Sequence, residues 1–278
     1  VNYPSERPCE KSVQSRLVFL FKYKGVVMLR SAKEIEGYKI SAKDDEIGKV
    51  YDFFFDDKTW TIRYIAVDTG TWLPGRRVII SPDSFGKADW NAEILPVDLT
   101  KKQVEDSPEI DEHQPLERQK ELELTQYYGW PNYWTGIGGP AVGAIPPAAA
   151  IPERNVDAEI TRDDNEKQDS NLHSIKSIIN YNIEAADDSI GHVEDFILDD
   201  SNWTIHYIVV DTRNWLPGGK KVILSPHWIK KMDWADSRMY VDLTKEQIKN
   251  SPEWNPDNPL ERDYETKLHE HYGKKIYW

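Results

Sequence analysis

Apolar positions along this chain come in short runs set off by polar turns, a pattern of strands rather than of long helices. Val50–Phe55 and Trp60–Asp68 are rich in aromatic and β-branched residues, and Asp56-Asp57-Lys58-Thr59 separates them. Two such runs around a four-residue polar loop predict a β-hairpin. In its second strand a period of two puts Trp60, Ile62, Tyr64 and Ala66 on one face. Leu73-Pro74-Gly75-Arg76 carries Pro then Gly at its central positions, which suits a type II turn. Arg77–Ser81 reads as a third strand ended by Pro82, and Ile94–Leu99 as a fourth. Thr100 with Gln103 has the spacing of a capping box, so a short helix is expected there until Ser107-Pro108 ends it. A second helix is expected from near Pro115 to Gly129.

The whole pattern then recurs. IGKVYDFFFDDKTWTIRYIAVDTGTWLPG at 47–75 is matched by IGHVEDFILDDSNWTIHYIVVDTRNWLPG at 190–218. Equivalent residues lie 143 apart up to the Pro-Gly pair, as Trp60 and Trp203 do, and 144 apart after it, as Trp90 and Trp234 do. Trp203, Ile205, Tyr207 and Val209 repeat the strand face, and Thr244 with Gln247 repeats the capping box. About half of the aligned positions are identical, well beyond chance for so long a period. The match starts near Met28 and near Asn171. The expected organisation is therefore a first unit at 28–134, a linker at 135–171 and a second unit at 172–278. The linker is rich in Pro, Gly and Ala and then acidic, and reads as extended or flexible. Residues 1–27 have no counterpart; they are expected to be a disordered extension or an upstream reading artefact, with Met28 the better start.

Composition narrows the function classes. A formal net charge of −13 repels phosphate backbones and anionic membrane surfaces, which argues against nucleic acid as a partner. The single cysteine, Cys9, excludes an intrachain disulfide and fits a reducing compartment. No apolar run is long enough to span a bilayer, so a cytoplasmic location is expected, with any membrane association peripheral and made through a protein partner.

The string IGKVYDFFFDD, WTIRYIAVDTG, WLPGRRVIISP and PVDLTKKQVEDSP, in that order, resembles the PRC-barrel domain. The resemblance covers Met28–Trp134 closely and Leu172–Trp278 with more departures. The bacterial variant's C-terminal helical tail is matched by YYGWPNYW in the first unit. It implies two small SH3-like β-barrels, mainly β with short helices, each followed by a helical tail. Barrel closure also suits the strand pattern, since it is an economical way to hide sheet edges. The family includes the cytoplasmic domain of the photosynthetic reaction-centre H subunit and a domain of a ribosome-maturation factor. What these share is docking onto a larger assembly rather than a reaction, and fold alone does not give function. In the second unit Arg213 stands for Gly70, His271 for Tyr127, and Lys274-Lys275-Ile276 for Trp130-Pro131-Asn132.

Trp72, Leu73, Arg76 and Arg77, with Trp215, Leu216, Lys220 and Lys221, are the candidate partner-binding residues, because they group a Trp and cations around a tight turn. The bland alternative, a Trp covering one end of the unit beside solvated cations, is weighted above it. The pairs Asp44-Asp45, Asp56-Asp57, Asp187-Asp188 and Asp199-Asp200 lack the ligand order of a calcium loop and read as solvated turn carboxylates. Asp52, Asp68, Asp195 and Asp211 read as structural, bonded to backbone amides or to Arg63, whose place in the second unit is taken by His206. His269 and His271, two apart on a predicted helix, point too differently to share a metal. Gly136, Gly138 and Gly139 lack the Lys-Ser/Thr of a phosphate loop.

No catalytic, cofactor-binding or metal pattern recurs in both units. The expected function is a non-catalytic adaptor or scaffold that docks onto a larger protein assembly, two tethered units gaining avidity. Self-association is the companion expectation, as a homo-oligomer or as an intrachain pseudo-dimer paired through the aromatic tails. The alternative is a ribosome- or RNA-processing factor, and an enzyme ranks last.

Overall fold

The computed structural model describes residues 28–110, 116–135, 171–213, 218–256, 258 and 260–276. The first unit runs β1 (Leu29–Ser31), α1 (Ala32–Ile35), β2 (Lys39–Ser41), β3 (Glu46–Asp56), β4 (Thr61–Asp68), β5 (Arg77–Ile80), β6 (Ile94–Pro96), α2 (Lys101–Glu105) and α3 (Arg118–Tyr128). The second repeats it as β7 (Leu172–Ser174), α4 (Ile175–Ile178), β8 (Asn182–Glu184), β9 (Ser189–Asp199), β10 (Ile205–Asp211) and β11 (Lys221–Leu224). It continues with a hairpin of β12 (Ile229–Asp233) and β13 (Arg238–Val241), then α5 (Lys245–Lys249) and α6 (Arg262–Tyr272).

Both capping boxes form, with the Thr100 and Thr244 hydroxyls accepting from the Gln103 and Gln247 amides and the glutamines reaching back to the threonine amides. Gly129 and Gly273 end the long helices in the left-handed region, at φ of 74° and 62°. Gly75 (φ 74°) and the Arg76 amide bonded to the Leu73 carbonyl make the expected tight turn. Trp60 departs from the strand pattern. With φ at 54° it sits in the turn, its amide bonded to the Asp56 carbonyl, and β4 starts one residue later.

The expectation of two closed barrels is corrected here. Each unit is an open sheet, in the orders β5-β4-β3-β2-β6 and β11-β10-β9-β8-β13-β12. No hydrogen-bonded ladder joins the end strands among the described residues. Between β5 and β6 the first unit has a 3-10 turn at Pro82–Ser84, and only the isolated bridges Phe85 to Val97 and Asp89 to Ile94 tie that stretch to β6 and the residues after it.

The reason lies on the long strand β3, which outruns its neighbour. β2 pairs with it only over Glu46–Lys49, which leaves the edge at Phe54–Asp56 without a partner from the same unit. An open edge must be covered. Here it is covered by β7 of the other unit, in the register Phe54 to Ser174, Phe55 to His173 and Asp56 to Leu172. Reciprocally β1 pairs with β9, Leu29 to Asp199, Arg30 to Leu198 and Ser31 to Ile197. Strand exchange takes over the edge protection that the sequence pattern had assigned to closure.

The core runs through both units as one buried cluster. Tyr64, Phe55, Phe196 and Tyr207 are its largest fully buried side chains.

Candidate binding surface

Two hairpin tips meet where the units join. β4 and β10 touch antiparallel through the single bridge Thr61 to Thr204. The Ile62 amide donates to the Trp203 carbonyl at 2.8 Å, and the Ile205 amide to the Trp60 carbonyl at 2.7 Å. Trp203 holds the same left-handed conformation as Trp60, with φ at 59°. A bulky residue there is strained, and in both units that conformation accompanies a carbonyl bonded across the junction.

The acidic residues lock the exchanged strands. Asp195 accepts from the Ser31 hydroxyl and, at 3.2 Å, from the Lys33 amide. Asp52 accepts from the Ser174 hydroxyl at 2.5 Å and from the Lys176 amide at 3.2 Å. Each carboxylate also accepts the amide of its own successor, Phe196 or Phe53, at 2.7 Å. The backbone-amide reading of Asp52 and Asp195 thus holds, but the anchored amides include those of the opposite unit, and Arg63 takes no part in these bonds. Burial pushes both carboxyls above the ordinary aspartate range, while the serine hydroxyls and amides pull them back.

Reading Asp56-Asp57 and Asp199-Asp200 as solvated turn carboxylates is corrected as well. Asp56 and Asp199 are 6% and 4% exposed. They cap their own turns, accepting from the Lys58 and Thr59 amides and from the Ser201 amide. Their neighbours receive the exchanged strands: Arg30 Nε meets Asp200 at 3.0 Å, and His173 Nε2 meets Asp57 at 3.3 Å. Asp44 and Asp187 accept the amides of Lys101 and Lys245 at the starts of α2 and α5.

Beside the junction, on the first unit's side, a groove of about 500 Å³ opens. Its floor is β4, its walls are the Phe85–Trp90 loop and the Trp130–Tyr133 tail, and its far rim is the Asp200–Trp203 tip of the second unit. Trp203 packs on Phe85 at 5.5 Å between centroids. Arg63 lies over the Tyr133 ring at 4.2 Å and Arg30 over Trp90 at 3.9 Å, which fixes two walls by cation–π contact. Trp130 is stacked on Tyr128 and donates to Ser84 Oγ at 2.7 Å. Exposed Lys87 stands at the rim. The groove thus presents aromatic faces, hydroxyl and amide groups, the cations of Arg63 and Lys87 and the carboxylates of Asp83 and Asp200, chemistry that suits binding.

The residues singled out around the tight turn are engaged within their own unit. Trp72 Nε1 donates to the Ile47 carbonyl at 2.8 Å, and Leu73 packs on the core. Arg76 donates to the Glu105 carbonyl at 2.7 Å and to the Ser107 carbonyl, clamping the end of α2, and Lys220 does the same to Ser251 at 2.5 Å. Cations suit that end of a helix. Arg77 lies over Tyr51 at 3.5 Å, and Lys221 pairs with Glu194 at 2.7 Å. Trp215 and Leu216 lie outside the described residues, as do most of the linker and residues 1–27.

Behind the groove Glu121 is fully buried and holds Tyr64 (3.3 Å), Tyr133 (2.7 Å) and Arg118 (2.9 Å). In the second unit Glu265 holds Tyr207 (2.9 Å) and Arg262 (3.0 Å), and burial raises its pKa. Burial lowers the pKa of His206 and of His269, whose Nε2 lies 3.5 Å from Tyr207 OH. His271 instead bonds the Gln247 carbonyl at 2.7 Å, the place Tyr127 takes on Gln103 at 2.8 Å. Among the described residues no three His, Cys, Asp or Glu side chains gather as a metal site, and no helix is long and apolar enough to cross a membrane.

The junction and the groove escaped the sequence reading. The available signal was the serine at 31 and 174 and the aspartate at 52 and 195, each kept in both units with no catalytic companion. The family model described as PRC-barrel domain matches residues 29–104 and 171–248. Among curated proteins none matches the chain.

Proposed function

The chain belongs to the PRC-barrel domain family, which covers more than half its length, and from that premise we propose that it is a non-catalytic docking scaffold with its two units joined into one body. The observation that carries this reading is the groove, whose floor comes from one unit and whose rim comes from the other. Such a site exists only while the strands are exchanged. The tethered-avidity idea gives way to one composite surface of fixed geometry, which lowers the ordering cost of binding. Concave sites with aromatic faces and a few placed polar groups suit a protein segment. The acidic balance disfavours RNA. Docking onto a larger assembly, as the reaction-centre H subunit does, is the mode that the resemblance supports.

Co-fractionation of the tagged full chain from gently lysed host cells, with and without RNase, tests this. The expected result is one co-purifying protein in fixed ratio, insensitive to RNase, lost with Lys87→Glu or Pro131→Trp and kept with Lys231→Glu, the equivalent position of the second unit. Migration as a free species, or loss on RNase treatment, would overturn it.

A further inference from the structure

The junction is built twice from interchangeable parts. Ser31 on Asp195 and Ser174 on Asp52 are the same donor on the same acceptor. The Lys33 and Lys176 amides bind those carboxylates at the same 3.2 Å. At the centre Thr61 faces Thr204, and each Trp carbonyl takes the opposite Ile amide. A patch whose partner is its own equivalent is self-complementary, the condition for an isologous dimer contact.

We propose that this junction is a homotypic self-association surface: the first unit of one copy pairs with the first unit of a second copy, and the second with the second, by the same strand exchange. In a first–first pair Ser31 docks on Asp52 of the other copy and Arg30 faces Asp57. Lys33 then faces Glu36 and Tyr51, the two groups that Lys176 already engages within the chain, by ion pair and by cation–π contact at 3.7 Å. In a second–second pair Ser174 docks on Asp195 and His173 faces Asp200. None of these pairings brings like charges together. Residues 136–170 tether the two units and raise their effective concentration, so the chain closes on itself when dilute and links to further copies when concentrated. The proposal stands on the junction alone and does not depend on the docking function.

The test uses the folded full chain with a protease site inserted within residues 136–170. After cleavage the sample is concentrated, held and read by native mass spectrometry, which separates first–first, first–second and second–second pairs by mass. All three pairs are expected. First–second pairs alone, or single units alone, would overturn the proposal.

Asp52→Ala then serves as a probe, with Ser31→Ala as a milder second variant. Each removes both anchors from a first–first pair, one from a first–second pair and none from a second–second pair. First–first pairs should therefore fall by the square of the factor that first–second pairs lose. Equal loss across all three would show that the pairing does not run through the exchanged strands.

Discussion

The junction and the outer shell have fared differently in the two units. At the junction Ser, Asp, Thr, Trp and Ile stand at equivalent positions and make equivalent bonds. In the outer shell Tyr64 and Arg118 hold Glu121 as Tyr207 and Arg262 hold Glu265, but His269 stands beside Tyr207 where the first unit has Thr125. Trp130 is bonded to Ser84, and at its equivalent position Lys274 meets Asp242 at 3.4 Å. The difference is one of topology. A residue at the centre of the junction faces the counterpart of its own neighbourhood, so a change in one unit meets an unchanged partner. The units differ only at its margin, where Arg30 on Asp200 corresponds to His173 on Asp57 and Lys33 on Glu194 to Lys176 on Glu36. A shell residue faces its own unit and can drift with local compensation, as at the groove wall, where Trp130 of the first unit corresponds to Lys274 of the second.

The sharpest way to break this contrast is to remove both anchors. Asp52→Ala with Asp195→Ala strands the buried amides of Phe53 and Phe196 and takes the acceptor from the half-buried Ser174 and Ser31 hydroxyls. An unsatisfied buried group costs about 1–3 kcal/mol, so the double variant should lose about 5 kcal/mol in urea unfolding and each single about half. Equal losses from the two singles would confirm the symmetry of the junction. The Asn versions should cost less and report on pH. Burial raises both carboxyls above the unfolded value of about 3.9. Their contribution is therefore complete below that value and is lost as pH rises through the raised one. The deficit of the Asn variants relative to the native chain should shrink between pH 4 and pH 7.

In the shell the two buried glutamates should respond unequally. Glu121→Ala leaves the Tyr64 and Tyr133 hydroxyls without their acceptor and Arg118, only 12% exposed, without its carboxylate. Breaking a buried pair costs about 3–5 kcal/mol, and the low end of that range is expected. Arg262 is half exposed and can turn to water, so Glu265→Ala should cost less. Equal midpoints in parallel urea titrations would remove the distinction.

A smaller effect separates the units by acidity. Burial depresses the pKa of His206 and His269, so the stability they contribute is present above the unfolded value of about 6.5 and is lost as pH falls through their lowered values. Amide-exchange protection of α6 should drop between pH 7 and pH 5, after correction for intrinsic rates, while that of α3 holds. His206→Arg with His269→Thr, the first unit's residues, should abolish the drop.

Much of each unit was legible in the chain because it is encoded locally. The Asp56–Thr59 turn, the boxes at Thr100 and Thr244 and the stop at Gly129 depend on residues a few positions apart. The exchange was not legible. Leu29–Ser31 and Leu172–Ser174 are three residues long, too short for a periodic signal, and their partners lie in the opposite unit. Asp56-Asp57 reads the same whether its second carboxylate meets water or His173. Barrel closure was inferred from exposed edges, and that argument identifies the need for cover without saying which strand supplies it.

The smallest effect bears on how far the shell has truly diverged. Tyr127 is 40% exposed, and its hydroxyl donates to the Gln103 carbonyl, while His271 makes the matching bond to Gln247. A solvent-accessible hydrogen bond of this kind contributes about 0.5–1 kcal/mol. Tyr127→Phe should therefore cost that much in a urea midpoint. Tyr127→His should cost almost nothing, because an imidazole N–H reaches the same carbonyl in the second unit. A loss for Tyr127→His equal to that for Tyr127→Phe would mean that the two units hold their helical tails by different contacts despite the matched geometry.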